Sequence, residues 1–130
     1  PCDQDKAKEL AETAANGSYQ KAEHEDLKSI TQGMLGQKGK VHLSFGQPIR
    51  GDFADSKAIA AAIDQQIINH YKLYESNLSA YRKLNNSDEE HSLASKIAAT
   101  MQQLSKEQQH WLLTMYANPV FAKKALEQQK

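Results

Sequence analysis

Residues 39–51, GKVHLSFGQPIRG, place the tightest constraint on what this chain can fold into. Val41, Leu43 and Phe45 alternate with His42 and Ser44, a period-two pattern with one apolar face, and glycines stand at both ends. The run from Val41 to Phe45 is therefore expected to be a short β-strand. Gly46 and Pro48 end it, because proline lacks the N–H that a central ladder needs. Every other segment reads as helix or turn. One strand cannot satisfy its own backbone donors and acceptors, and even an isolated hairpin is marginal in water. The pattern thus calls for strands that this sequence does not supply. The first residue is Pro1 rather than Met, which suits a trimmed chain or the downstream part of a longer protein.

Helical periodicity accounts for the rest. Ala7, Leu10, Ala11 and Ala14 recur at helical spacing behind Asp3 and Asp5, acids that suit the positive end of a helix dipole, and Asn16-Gly17 supplies the stop. A second helix is expected over 24–35, with Leu27, Ile30, Thr31 and Met34 on one face and Gly36 as its cap. After the turn at Gly51-Asp52, Asp55 or Ser56 caps a long helix to about Tyr74. Its stripe of Ile59, Ile63, Ile67, Tyr71 and Tyr74 is broad enough to demand burial. Asn77 is read as the cap of a short helix through Leu84. Ser87 with Glu90 forms a capping box ahead of the stripe Leu93, Ile97, Met101 and Leu104. Ser105 with Gln108 repeats the box before Trp111, Leu112, Met115 and Tyr116, and Asn118-Pro119 is expected to open a last helix.

The chain is thus expected to be mainly α with one short strand, in two pieces that meet near Gly51. Residues 1–51 are a helix–helix–strand piece, and residues 52–130 are helices on short connections, the pattern of an antiparallel bundle. Sixteen Lys and Arg balance sixteen Asp and Glu, so no global field recruits nucleic acid or an anionic membrane. The single Cys2 has no internal disulfide partner, which suits a reducing, cytoplasmic setting. No apolar run approaches the length of a membrane span.

Chemistry-bearing constellations are sparse. None of the five histidines has another three or four residues away, the spacing of helical metal sites, so no metal site is assigned. His24-Glu25-Asp26 is explained by a helix start. His70 and Glu75 form an H-x-x-x-x-E pair, close to the H-x-x-x-x-D of glycerolipid acyltransferases, in which His acts as base and Asp orients it; here the acid is Glu, and the pair spans a helix end. No serine lies in a nucleophile elbow, and the glycines at 33, 36 and 39 build no phosphate loop. Lys38, Lys40 and Arg50 surround the strand and are the candidates for phosphate or lipid headgroup contact, against an ordinary role as edge solvation. Trp111, Tyr116 and Phe121 are read as core rather than as an interfacial anchor. No catalytic or cofactor-binding residue is assigned.

The run over residues 29–49, SITQGMLGQKGKVHLSFGQPI, resembles the closing segment of the catalytic domain in bacterial glycerolipid acyltransferases of the glycerol-3-phosphate and 1-acylglycerol-3-phosphate acyltransferase superfamily. That segment reads as a helix, a K-G-[RK]-V-x-[VL] strand and then F-G-x-P-I. Pro1-Cys2-Asp3, Lys6, Ala7, Glu9-Leu10, Gly17, Tyr19, Lys21 and Glu25-Asp26 look like the start of the same region in one bacterial subgroup. Ile63-Asp64, Asn77 and Ala80-Tyr81 fit its helical tail less specifically, and the likeness gives nothing beyond about residue 84.

The resemblance implies a mixed α/β enzyme that moves a fatty acyl group from acyl-CoA or acyl carrier protein to a glycerolipid hydroxyl at the cytoplasmic membrane face. It also implies that the base-and-acid motif lies upstream, so the isolated chain is expected to be inactive. The expected partners are that missing catalytic region and a second copy, met through the strand or exposed apolar helix faces. Peripheral membrane association belongs to the full-length protein only. The competing reading is a non-enzymatic helical interaction module.

Overall fold

The computed structural model describes residues 2–36, 38–85 and 93–128. Six α-helices are present among them: α1 (Cys2–Asn16), α2 (Glu25–Leu35), α3 (Ser56–His70), α4 (Glu75–Asn85), α5 (Ser95–Met101) and α6 (Lys106–Glu127). The chain is mainly α, as its periodicity requires. Three of the punctuation marks work as their chemistry predicts. Gly17 stops α1 with φ 77° and an N–H donated to the Thr13 carbonyl, a conformation that costs a side-chain-bearing residue more. Asp55 accepts from the Ala58 N–H at the start of α3. Ser105 and Gln108 close both halves of a capping box on α6.

The long helix α6 organises the packing. It lies most extensively against α4, then α1, then α3. Leu112, Leu113 and Ala117 meet Ala7 of α1, Ala80 of α4, Ile97 of α5 and Leu104 in one buried cluster, with Tyr81, Leu84, Trp111, Met115 and Tyr116 packed around it. Alanines at the contact faces of α1 and α4 let the backbones approach α6 closely. Ala7 therefore shares a core with residues from beyond Gly51. Trp111 and Tyr116 belong to this core, as expected. Phe121 is 40 % exposed and lies edge-on to the Tyr81 ring at 4.9 Å, and the Lys124 ammonium stands 4.5 Å from the centre of the Tyr81 ring.

Several expectations are corrected. From Val41 to Phe45 the backbone forms no ladder: residues 41–50 carry no regular secondary structure, because the described residues contain no second strand to pair with. Helix α3 ends at His70 rather than near Tyr74; Tyr71 takes the C-cap position with its N–H on the Ile68 carbonyl. The stripe of that helix is not buried either, with Ile59, Ile63 and Ile67 between 41 and 48 % exposed. α3 instead turns Ala58, Ala62 and Ile68 toward Ala122 and Leu126 of α6.

Asn77 does not precede its helix. It sits in the first turn of α4, and its Oδ1 accepts from the Tyr74 N–H while its Nδ2 donates to the Tyr116 carbonyl. Asn118-Pro119 opens no new helix, since α6 runs through Pro119. Proline at 119 removes the donor for the Met115 carbonyl and crowds that turn. Burial of Ala117 and Val120 on either side holds the helix together. The capping box at Ser87 and Glu90 lies outside the described residues.

Candidate functional site

Helices α2 and α3 bury no residue fully, and the stretch between them is where the chain has most surface to offer. Entry to this region is fixed by a polar network. The Tyr19 hydroxyl donates to Glu25 Oε1 at 2.7 Å, Glu25 Oε2 accepts from the Ala22 N–H, and Lys21 pairs with Asp26 at 2.7 Å. The hydrogen bond to the Glu25 carboxylate, with smaller help from desolvation and nearby charge, pushes the Tyr19 phenol up to about 12. The same bond, then that from Ala22, draws Glu25 below the ordinary carboxylate range. Tyr19, Lys21, Glu25 and Asp26 thus tie the first connection to the start of α2. His24 stands at the N-cap of that helix in a left-handed conformation, φ 60°, with Glu23 beside its ring.

Residues 38–55 carry no regular secondary structure, and among the described residues one side chain hydrogen-bonds this stretch to α3. Gln66 Oε1 accepts from the Gln47 N–H at 2.6 Å, and Gln66 Nε2 donates to the Gln47 carbonyl at 3.0 Å. The carboxamide thereby offers Gln47 the donor and acceptor that a residue on a neighbouring strand would offer. Gly46 makes this approach feasible: a Cβ built there would lie 2.6 Å from Gln66 Oε1. The glycine of the F-G-x-P-I run therefore answers to close packing against a helix side chain.

His42, Ser44 and Gly46 line a cleft of about 380 Å³ against Gln66, Ile67, His70, Tyr71, Lys72 and Tyr74 at the end of α3. Val41, Leu43 and Phe45 are 79, 75 and 83 % exposed. His42 and Ser44 thus border the end of α3 while remaining exposed, and Val41, Leu43 and Phe45 are exposed to solvent. Leu27, Ile30, Met34 and Leu35 of α2 are also exposed, so the second helix and the segment that follows it share the same lack of cover.

The residues singled out from sequence fall as follows. Lys38, Lys40 and Arg50 are all exposed, at the two ends of the segment, and none makes an ion pair among the described residues. Glu75 does not serve His70, since its carboxylate is engaged by Arg82 at 2.9 Å. His70 instead shares the cleft with His42, 28 positions away in sequence, a pairing no spacing rule could find. No group of three or more metal-ligating side chains occurs among the described residues, and no described helix is long and apolar enough to cross a membrane. No family model, curated protein or solved structure matches the chain.

Proposed function

We propose that this chain is the C-terminal segment of a bacterial glycerolipid acyltransferase, an enzyme moving a fatty acyl group from acyl-CoA or acyl carrier protein to a glycerolipid hydroxyl. In this reading the segment carrying Val41, Leu43 and Phe45 completes a sheet whose other strands, and whose His–Asp pair, come from preceding sequence. The helices from α3 onward form an extension that packs on the catalytic domain or on a second copy. The full-length enzyme is cytoplasmic and works peripherally at the inner membrane face.

The observation that carries the reading is the outward apolar face of residues 41–45. A segment of strand length, with large apolar side chains on alternate positions left in water, is a face awaiting a sheet and a core. The K-G-K-V-x-L and F-G-x-P-I runs bracket that face, and they are the residues that carry the family resemblance. The second reading, a helical interaction module, draws support from the core of α1, α4, α5 and α6, which closes without the extended segment.

The decisive experiment is on the upstream reading frame. The first reading expects an H-x-x-x-x-D motif there, and acyl transfer from acyl-CoA to a lysophospholipid by the joined protein but not by residues 1–130 alone. A joined protein without that motif and without transfer would leave the interaction module.

A further inference from the structure

We infer that the cleft between residues 42–46 and the end of α3 binds a phosphate group, presented as a free phosphate monoester or on a lipid. The residues that line the cleft include His42, His70, Ser44, Tyr71, Tyr74 and Lys72. None of these side chains is engaged in a hydrogen bond or ion pair among the described residues. Among the described residues no carboxylate lines the cleft, and the nearest in sequence, Glu75, is held by Arg82. A concave surface with a lysine, two imidazoles and three hydroxyls, all with donors to spare, suits a multiply charged oxyanion.

Metal binding is the weaker fit. Two imidazoles without a third ligating side chain fall short of the three protein ligands that even an open zinc site uses. The carbonyl end of α3 acts against an anion, and the Tyr71 N–H is spent on the Ile68 carbonyl, so recognition falls to the side chains. Lys72 stands at that same helix end and offsets its negative pole. The inference does not rest on the acyltransferase reading, because it follows from the lining of the cleft.

The test is titration of the 15N-labelled chain with inorganic phosphate, with chloride at matched ionic strength as control, followed by sedimentation with vesicles of phosphatidylcholine with and without phosphatidic acid. Saturable shifts at residues 42–46 and 70–74 with phosphate alone are expected. Lys72→Gln, and the pair His42→Gln with His70→Gln, should each weaken binding about tenfold, the loss of one charge-assisted contact, with circular dichroism unchanged. Retention on phosphatidic acid vesicles that Lys72→Gln abolishes assigns the phosphate to a lipid. Phosphate binding without such retention assigns it to a soluble ester. Equal shifts with chloride, shifts confined to Lys38, Lys40 and Arg50, unaltered affinity in folded variants, or no saturable binding to either probe would overturn the site. None of these outcomes bears on the upstream motif, so the two readings fail separately.

Discussion

The hydroxyl of Tyr116 on α6 donates to Asp3 Oδ2 at 2.6 Å, joining residues 113 positions apart and fastening the first helix to the last. Burial is the largest influence and acts to raise the Asp3 carboxyl, the Tyr116 hydroxyl acts to lower it, and the group lies below its ordinary value. Tyr116 is driven the other way, first by burial and then by Asp3. Tyr116→Phe should cost about 1.5 kcal/mol, the low end for a bond to a charged group because both partners are only half-buried.

The two shifts also set a pH window. A depressed Asp contributes stability above its unfolded value of about 3.9 and loses it as pH falls through the folded value. A raised Tyr contributes fully below about pH 10 and loses it as pH rises through the folded value. The gap between wild type and Tyr116→Phe in urea melts should therefore be widest near neutrality and narrow at both extremes. A gap that does not change with pH would show that this pair does not contribute in the way its geometry indicates.

Asn77 makes a second tie to the same tyrosine, at its carbonyl rather than its hydroxyl. Tyr116 lies three residues before Pro119, in the turn where proline disturbs the helical ladder, so its carbonyl gains from an outside donor. Asn77→Ala removes that donor and the acceptor for the Tyr74 N–H, and should cost about 1–2 kcal/mol. Asn77→Asp separates the two roles. It keeps the acceptor at a helix start and loses the donor, so a stability matching wild type would mean that the link to α6 contributes nothing.

What the sequence revealed and what it hid divide along physical lines. Local devices were legible: Gly17, Asp55 and the Ser105–Gln108 box act within a few residues of themselves. The helical stripes of α5 and α6 also led directly to Ile97, Leu104 and Leu112 in the core. The stripe of α3 misled, because periodicity reports a face that could be buried and not whether anything lies over it. Pro119 misled for the converse reason, as tertiary packing carried α6 across a residue that would end an isolated helix. The bond of Gln66 to Gln47 has no sequence signature, since neither glutamine differs in kind from its many neighbours. The strand was a pattern without a partner, and backbone pairing depends on the partner.

Gln66 and Gly46 should behave as one unit. Gln66→Ala removes both bonds to Gln47, and Gly46→Ala displaces the carboxamide by crowding its oxygen. Each should speed hydrogen exchange at the Gln47 amide by about an order of magnitude, equivalent to about one hydrogen bond lost. Global stability should move by less than about 0.5 kcal/mol, because the segment is exposed and lies outside the core. The double variant should exchange no faster than either single one, since both abolish the same contact. Additive effects would mean that Gly46 matters for some other reason than room for Gln66.

The last prediction concerns the uncovered surface. Leu27, Ile30, Leu43 and Phe45 are each more than half exposed, while Leu112 and Leu113 are buried against α1, α4 and α5. Leu113→Ala should therefore destabilise the fold by about 2–5 kcal/mol, the range for a truncated core leucine. Leu43→Ser with Phe45→Ser should leave the unfolding transition within about 0.5 kcal/mol of wild type, because neither side chain has lost a native contact. The same pair should lower the weight-average mass in sedimentation at high concentration, since apolar side chains on alternate positions of an extended, unpaired segment provide both the contact and the hydrogen-bonding edge for association. If the wild-type chain sediments as a clean monomer throughout, residues 41–45 are tolerated in water and their apolar face is no evidence for a missing partner. If it associates and the serine variant does not, the outward face of the extended segment is the surface responsible.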